Sequence, residues 1–294
     1  MKQQLIWLNG KLVPSDKARI SILDSAYLYG EGLFETLLAK GGRVLFMEEH
    51  FNRLYRSAPS LRISIPLSRR GLEREIYRTL KANRLGASPG EDAYIRLEVS
   101  NREDQIGNRK ARPRGANLMI YVRPFTPLPK RVYRQGAHLI LVRATPNDLP
   151  PLAGIKSINY LSKMVARREV KRRGADEGVL LNNAGRITEC SSSNFFLVKN
   201  GVLLTPPLKE GLLPGITRLV VLKMARRLGI PVQEKSLTFQ EARRADEIFI
   251  TSTLKGIVPV SRFESLRKRV PGPVTTQLGR AYRNGVTTSC GSSS

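Results

Sequence analysis

Three short stretches carry residues that could do chemistry together. Lys156 stands in an otherwise uncharged run from Ala153 to Ser162. An amine in such surroundings is neutralised more easily than one in water, and a neutral amine is a nucleophile. Glu189 closes the β-patterned run Ile187-Thr188 and is followed by Cys190 and three serines, Ser191 to Ser193. Pro214-Gly215 opens a run with Leu219, Leu222 and Leu228, which reads as a helix. The first N–H groups of that helix, on Ile216 and Thr217, would point outward and could cradle an anion.

An amine, a carboxylate and an anion cradle are together what pyridoxal 5'-phosphate requires of a protein. The cofactor is an electron sink held as an imine on a lysine. A carboxylate keeps its ring nitrogen protonated, and its phosphate dianion suits a helix N-terminus. The stretches Gly154-Ile155-Lys156-Ser157-Ile158-Asn159-Tyr160-Leu161, Ile187-Thr188-Glu189-Cys190-Ser191-Ser192-Ser193-Asn194 and Leu213-Pro214-Gly215-Ile216-Thr217-Arg218 occur in this order. So arranged, they resemble the fold type IV pyridoxal phosphate enzymes, the class IV aminotransferases. That family includes branched-chain aminotransferases, D-amino acid aminotransferases and 4-amino-4-deoxychorismate lyases. The resemblance runs from about Trp7 to about Val260.

What the resemblance implies can be carried over residue by residue. Lys156 matches the imine-forming lysine and Glu189 the carboxylate at the ring nitrogen. Tyr160 matches a tyrosine that hydrogen-bonds the ring oxygen. Arg53, in His50-x-x-Arg53-Leu54, matches an arginine on the phosphate, and Thr253 a threonine donor to it, with Ser252 beside it. Guanidinium forks suit phosphate geometry. Tyr29 and Phe34 match positions lining the substrate. Tyr94-x-Arg96 resembles a pair that helps hold the substrate carboxylate in branched-chain aminotransferases. The chain then departs from the family, reading Ser100-Asn101-Arg102-Glu103 where many members have Arg-Gly, which bears on substrate choice. His50 reads as a structural or surface histidine rather than a catalyst; a catalytic lysine moves its own protons, so few histidines are needed.

The elements that must position these residues follow from periodicity. Trp7 to Val13 reads as two strands about an Asn9-Gly10 turn. Gly30-Glu31-Gly32 lacks the third glycine and the following helix of a dinucleotide site. Leu37 to Phe46 reads as a hairpin, Glu48 to Ala58 as a helix with Phe51, Leu54, Tyr55 and Ala58 on one face, and Leu72 to Leu85 as a second helix. Ala93 to Ser100 alternates as a strand, placing Tyr94 and Arg96 on one face. Asp104 to Gly115 reads as a loop long enough to be an active-site flap. After strand Asn117 to Val122, the proline-rich Pro124 to Pro129 marks a domain boundary. Ile158, Leu161 and Val165 read as the apolar stripe of a helix after the lysine. Two hairpins, around Asn182 to Gly185 and Lys199 to Gly201, and a strand Glu247 to Ile250 complete the order. The resemblance implies a mixed α+β fold in two domains: a small N-terminal α/β domain over 1–122, a linker over 123–133, and a larger β-barrel-like domain with helices over 134–294. Its tail, 286–294, is expected to be disordered.

Composition bounds the alternatives. With 294 residues, 41% hydrophobic and 25% charged, the chain can build real cores. No apolar run reaches the ~18 residues of a membrane span, and no secretory signal is evident. Two distant cysteines fit a reducing cytoplasm and argue against disulfides or a zinc site. The net charge of +26 favours nonspecific polyanion contact, yet its residues are spread along the chain with no nucleic-acid motif. The favoured reading is a ping-pong aminotransferase acting on branched-chain or other aliphatic L-amino acids and a 2-keto acid such as 2-oxoglutarate. The resemblance implies a homodimer or a multiple of one, and neither specific nucleic-acid nor membrane partners are expected. The alternatives are a 4-amino-4-deoxychorismate lyase, suggested by Leu152 to Lys156 and Glu189-Cys190; a D-amino acid aminotransferase, suggested by Ser191 to Asn194; and a polyanion-binding module, suggested by charge alone.

Overall fold

A computed structural model describes residues 3–86, 91–102, 115–142, 152–268 and 270–291. Its contacts divide the chain into two compact units, Met1–Thr126 with Ile155–Tyr160, and Pro127–Gly154 with Leu161–Ser294. The expected flap over 104–115 lies almost wholly outside the described residues.

The first unit is a six-stranded sheet in the order β2-β1-β6-β5-β3-β4. Its strands are β1 (Leu5–Leu8), β2 (Lys11–Pro14), β3 (Gly32–Lys40), β4 (Arg43–Val44), β5 (Ala93–Asn101) and β6 (Ala116–Pro124). All neighbours are antiparallel. Asn9 and Gly10, both at positive φ (50° and 95°), make the tight turn between β1 and β2. One face is covered by helices α2 (Met47–Ser57) and α3 (Arg69–Ala82). Phe51 and Leu54 of α2 and Leu72, Ile76 and Leu80 of α3 pack on Leu33 and Leu37 of β3 and Ile95, Leu97 and Val99 of β5. The period of two in β5 thereby puts Tyr94, Arg96 and Glu98 on the opposite face. A short helix α1 (Ser25–Tyr29), not foreseen from periodicity, is fixed by buried Asp24. That carboxylate caps Ala26 N and accepts from Ser100 Oγ at 2.7 Å and Asn117 Nδ2 at 2.5 Å.

Lys156 belongs by contact to this first unit, although it lies in the 134–294 span expected as the second domain. Its segment runs antiparallel along the edge of β3. Phe34 N donates to Lys156 O at 2.9 Å, Ile158 N donates to Gly32 O at 2.8 Å, and Leu33 bridges Ser157. Unpaired backbone groups at a strand edge recruit whatever extended segment reaches them. A Cβ on Gly32 would come within 2.5 Å of Ile158 Cδ1, so the bare glycine is what lets this segment approach.

The second unit is a larger curled sheet. Its strands are β7 (Ala137–Leu141), β8 (Glu177–Leu181), β9 (Arg186–Cys190), β10 (Asn194–Lys199), β11 (Val202–Thr205), β12 (Val232–Glu234), β13 (Leu237–Thr238), β14 (Glu247–Ser252), β15 (Gly256–Phe263) and β16 (Leu266–Arg267). They run in the order β12-β11-β10-β14-β15-β7-β8-β9-β13, with β16 beside β15. β7 is parallel to both β8 and β15, and β11 to β12; the other pairs are antiparallel. Phe195, Leu197, Ile248, Ile250, Val260 and Phe263 are among its core. Helices α4 (Lys130–Gln135), α5 (Leu161–Arg172), α6 (Ile216–Arg227), α7 (Phe239–Arg243) and α8 (Pro273–Gly291) surround the strands.

One expectation needs correction here. The apolar stripe assigned to the helix after Lys156 is not its buried face: α5 begins at Leu161, and Leu161 and Val165 are exposed. Ala166 and Val170 are buried instead, because α5 lies close over β8, where a Cβ on Gly178 would meet Val170 at 2.8 Å. In α6 Leu222 is buried but Leu219 and Leu228 are exposed, the remaining core face being Ile216, Val221 and Ala225. Helix α8 packs through buried Leu278, Tyr282 and Val286 at a four-residue spacing.

Candidate active site

In the first unit three of the predicted residues, Lys156, Arg96 and Tyr160, meet at the ring of a fourth, Phe34. Phe34 is buried on the face of β3 away from the helices. Lys156 Nζ lies 4.3 Å from its ring centroid, and Arg96 Cζ lies 4.1 Å from the same centroid. Tyr160 meets it edge-on with centroids 5.6 Å apart. Residues from three distant parts of the sequence are thus gathered by strand pairing and by the edge segment. Cation–π contact lets one ring orient two cations without neutralising either. Arg96 also donates through Nε to Glu98 Oε1, two residues along the same strand face. Tyr94 carries Arg123 over its ring at 4.4 Å and packs edge-on against Tyr121. Tyr29 sits at the end of α1, half exposed.

Arg53 is buried, and the structure pairs it with a residue that the sequence reading passes over. Its Nε donates to Glu35 Oε1 at 2.7 Å and its Nη2 to Glu35 Oε2 at 2.6 Å. His50 Nδ1 lies 2.7 Å from the same Oε2. Burial by itself would raise the Glu35 pKa. The Arg53 charge and hydrogen bonds, with those of His50, outweigh it and hold the carboxyl at about 2. Burial lowers the pKa of His50, Glu35 opposes that, and the cations Arg53 and Lys156 add to the lowering. His50 is therefore the structural one of the two readings, a buried imidazole. The sequence signal for Glu35 is a carboxylate in the apolar strand Leu33-Phe34-Glu35-Thr36-Leu37, which must find a cation when buried.

In the second unit, buried Glu189 accepts from Lys163 Nζ at 2.5 Å and from Leu213 N at 3.2 Å. It therefore ties the end of β9 to the loop before α6. Lys163 was visible only as the charge that ends the run around Lys156. The serines after Glu189 converge on buried Glu177, which accepts from Ser191, from Ser192 at 2.5 Å and from Ser193 at 3.1 Å. Lys255 Nζ completes this group at 3.1 Å. Burial by itself would raise the Glu177 pKa, but the Lys255 charge and these hydrogen bonds outweigh it and lower it. Lys255 lies in the β14–β15 turn that also contains Thr253, and its N–H donates to Ser252 Oγ at 3.3 Å. One carboxylate thus fastens the turn after Glu189 to the turn of Ser252 and Thr253.

Helix α6 begins as predicted, at Ile216 after Gly215. Its N-cap makes no side-chain hydrogen bond and its first turn holds no acid, so the leading N–H groups have no side-chain capping partner. A Cβ at Gly215 would fall 1.8 Å from Asn194 Oδ1, and Asn194 in turn donates to Leu213 O at 2.9 Å. The chain is therefore drawn tightly into the helix. An uncapped, acid-free N-terminus fits a phosphate dianion, and a buried carboxylate at the end of β9 fits a protonated ring nitrogen.

The class IV amino-transferase family model matches residues 32–263. A Methanocaldococcus jannaschii protein provisionally named branched-chain-amino-acid aminotransferase is 38% identical over 283 residues, covering 95% of this chain and 95% of its own. The branched-chain aminotransferase of Thermoproteus uzoniensis, solved with norvaline, superposes with a TM-score of 0.88 at 32% identity, covering 98% of this chain and 96% of that one. A T.th. branched-chain amino acid aminotransferase, solved with pyridoxamine 5'-phosphate, also superposes at 0.88, with 31% identity and coverage of 98% and 95%.

Proposed function

The chain belongs to the class IV aminotransferase family, and from that premise we propose that it moves amino groups between branched-chain or other aliphatic L-amino acids and 2-keto acids, with Lys156 as the catalytic amine. Pyridoxal phosphate, when bound, supplies an electron sink for the carbanion left at the substrate Cα. Everything else falls to the chain. Lys156 would hold the cofactor through its amine and, when that amine is free, would serve as base and then acid for the substrate Cα proton. Glu189, kept in place by Lys163 and Leu213 N, holds the proton on the ring nitrogen. Tyr160 donates to the ring oxygen. The N–H groups of Ile216 and Thr217, the hydroxyls of Ser252 and Thr253, and Arg53, its plane set by Glu35, bind the phosphate. Phe34, Tyr94, Arg96 and Tyr29 contact the substrate.

The observation that carries this reading is the Phe34 ring, which holds the Lys156 amine and Arg96 at 4.3 and 4.1 Å. A reactive amine and a carboxylate receptor on one ring suit an α-amino acid. The relatives named branched-chain-amino-acid aminotransferase support aliphatic substrates, while others are named D-alanine aminotransferase. Segment 20–29 exposes Ile20, Ile22, Leu23 and Tyr27, each by more than half, which suits assembly of two copies of this chain as a homodimer. Two cysteines, with Cys190 buried, suit a cytoplasmic setting.

The test is a donor panel on the cofactor-loaded protein, read by cofactor absorbance. L-Leucine should convert the cofactor without a keto-acid acceptor, and D-alanine should leave it unchanged. Borohydride followed by mass spectrometry should put the adduct on Lys156. Pyruvate release from 4-amino-4-deoxychorismate, or conversion by D-alanine alone, would replace this reading with a lyase or a D-specific enzyme.

A further inference from the structure

Glu189 has a partner that the amino-transfer reading does not require. Lys163 is the third residue of α5, in a first turn that holds no acid, at the helix end where the dipole disfavours a cation. Its Nζ reaches Glu189 Oε1 at 2.5 Å, with the lysine side chain 20% and the glutamate side chain 6% exposed. Glu189 Oε2 accepts from Leu213 N at 3.2 Å. Both carboxylate oxygens therefore hold a donor from the chain itself. Nearby, Lys255 pairs with Glu177 at 3.1 Å. All four charges are felt at buried Cys190, whose thiol is pushed up by burial first and then by Glu177 and Glu189, against Lys255 and Lys163. Two carboxylates here meet two ammonium groups, so a protonated ring nitrogen beside Glu189 is a third cation.

We infer that Lys163 shares Glu189 with the cofactor's ring nitrogen, and so weakens cofactor binding while it keeps the carboxylate in place. It acts through Glu189 and is a positioning residue. Each carboxylate oxygen has two lone pairs, so the ring N–H still finds an acceptor. What it does not find is an unshared charge. The ammonium and the ring nitrogen repel one another across the carboxylate, and burial strengthens that repulsion. In the apoprotein the balance is reversed, because a buried carboxylate needs a counter-charge and Lys163 supplies it. One side chain thus stabilises the apoprotein and reduces the gain on loading it. By linkage, whatever Lys163 contributes to the apoprotein beyond the holoenzyme appears as lost cofactor affinity. The inference rests on the aminotransferase reading, which puts the ring nitrogen at Glu189.

The test compares Lys163→Gln, Lys163→Met and Lys163→Arg with the unaltered protein. Glutamine keeps a donor for Glu189 without the charge, methionine removes both, and arginine keeps both. Each apoprotein is titrated with pyridoxal phosphate and followed by absorbance, and Tm is read with and without saturating cofactor. In Lys163→Gln the cofactor Kd should fall roughly five- to tenfold, an ordinary coupling between two sites. Tm of the apoprotein should fall, and that of the holoenzyme by less. Lys163→Met should show the same signs, and Lys163→Arg should match the unaltered protein. Where a variant apoprotein does not fold, the rate of cofactor loss from its holoenzyme decides, and it should be slower than in the unaltered protein. A lysine that only supports the fold would, when replaced, weaken cofactor binding and lower both Tm values alike. Equal or weaker affinity in Lys163→Gln, with the borohydride adduct on Lys156 in the unaltered protein, overturns this inference alone. Absence of that adduct from the unaltered protein overturns the functional reading instead.

Discussion

Glu35 is the residue on which the charges of the first unit converge. It holds Arg53 bidentately and His50 through one oxygen, with all three buried. Removing one member of such a group leaves a buried charge unpaired, which costs about 3–5 kcal/mol. Glu35→Gln should therefore lower the urea midpoint sharply, and Glu35→Gln with Arg53→Met should recover part of the loss. The group also sets an acid limb. The Glu35 pKa is lowered from 4.5 to about 2, so its stabilisation is complete above pH 4.5 and is lost as pH falls toward 2. A shift of this size corresponds to ~3 kcal/mol. His50, whose pKa is lowered from 6.5, acts in the same direction and starts higher, because the unfolded chain takes up that proton first. Stability measured against pH should fall below about 6.5 and more steeply below 4.5. His50→Gln should flatten the upper part of that limb and Glu35→Gln the lower. Arg53 was legible in the sequence from its motif; its partner was not, because a pairing 18 positions away on another element leaves no spacing signal.

At the scale of elements, two glycines decide whether the chemistry is in place. Gly32 has Ile158 Cδ1 only 2.5 Å from where its Cβ would be, with Val99 O at 3.0 Å. Gly32→Ala should push the Lys156 segment off the β3 edge. We expect slower transfer and weaker retention of the cofactor, measured by dialysis and absorbance, with a modest loss of thermal stability of about 1–3 kcal/mol from overpacking. Gly215→Ala would put a methyl 1.8 Å from Asn194 Oδ1 and shift the start of α6. Its effect should fall on phosphate binding: cofactor affinity should drop more than roughly tenfold by equilibrium titration, the size of one or two lost charge-assisted hydrogen bonds. Borohydride labelling of Lys156 at saturating cofactor should persist. The helix start was legible from Pro214-Gly215. Which face of α5 and α6 is buried was not, because leucine spacing names an apolar stripe but the neighbouring strand selects the face that closes on it. Gly178 under Val170 made that selection for α5.

At the scale of the whole molecule, the exposed apolar residues of segment 20–29 and the net charge of +26 make opposite demands. Apolar surface favours association, and like charge opposes it at low salt. Sedimentation equilibrium should therefore give twice the chain mass at moderate salt. Ile22→Asp, at a position 71% exposed, should shift the protein toward monomer without lowering the stability of the separated chain. Among the described residues no helix is long and apolar enough to cross a membrane.

From its amino acids alone, the chain declared its family chemistry. The order of a lysine in an uncharged run, a carboxylate at a strand end and a Pro-Gly helix start is local information, and local information survives in one dimension. The alternation of β5 likewise put Tyr94 and Arg96 on one face before any fold was known. Tertiary structure alone decided that Lys156 joins the edge of β3 rather than the sheet of the second unit, and that Arg53 answers to Glu35 and Glu189 to Lys163. Those partners are chosen by burial. A charge removed from water takes the nearest counter-charge that folding brings to it, and sequence distance does not enter that choice.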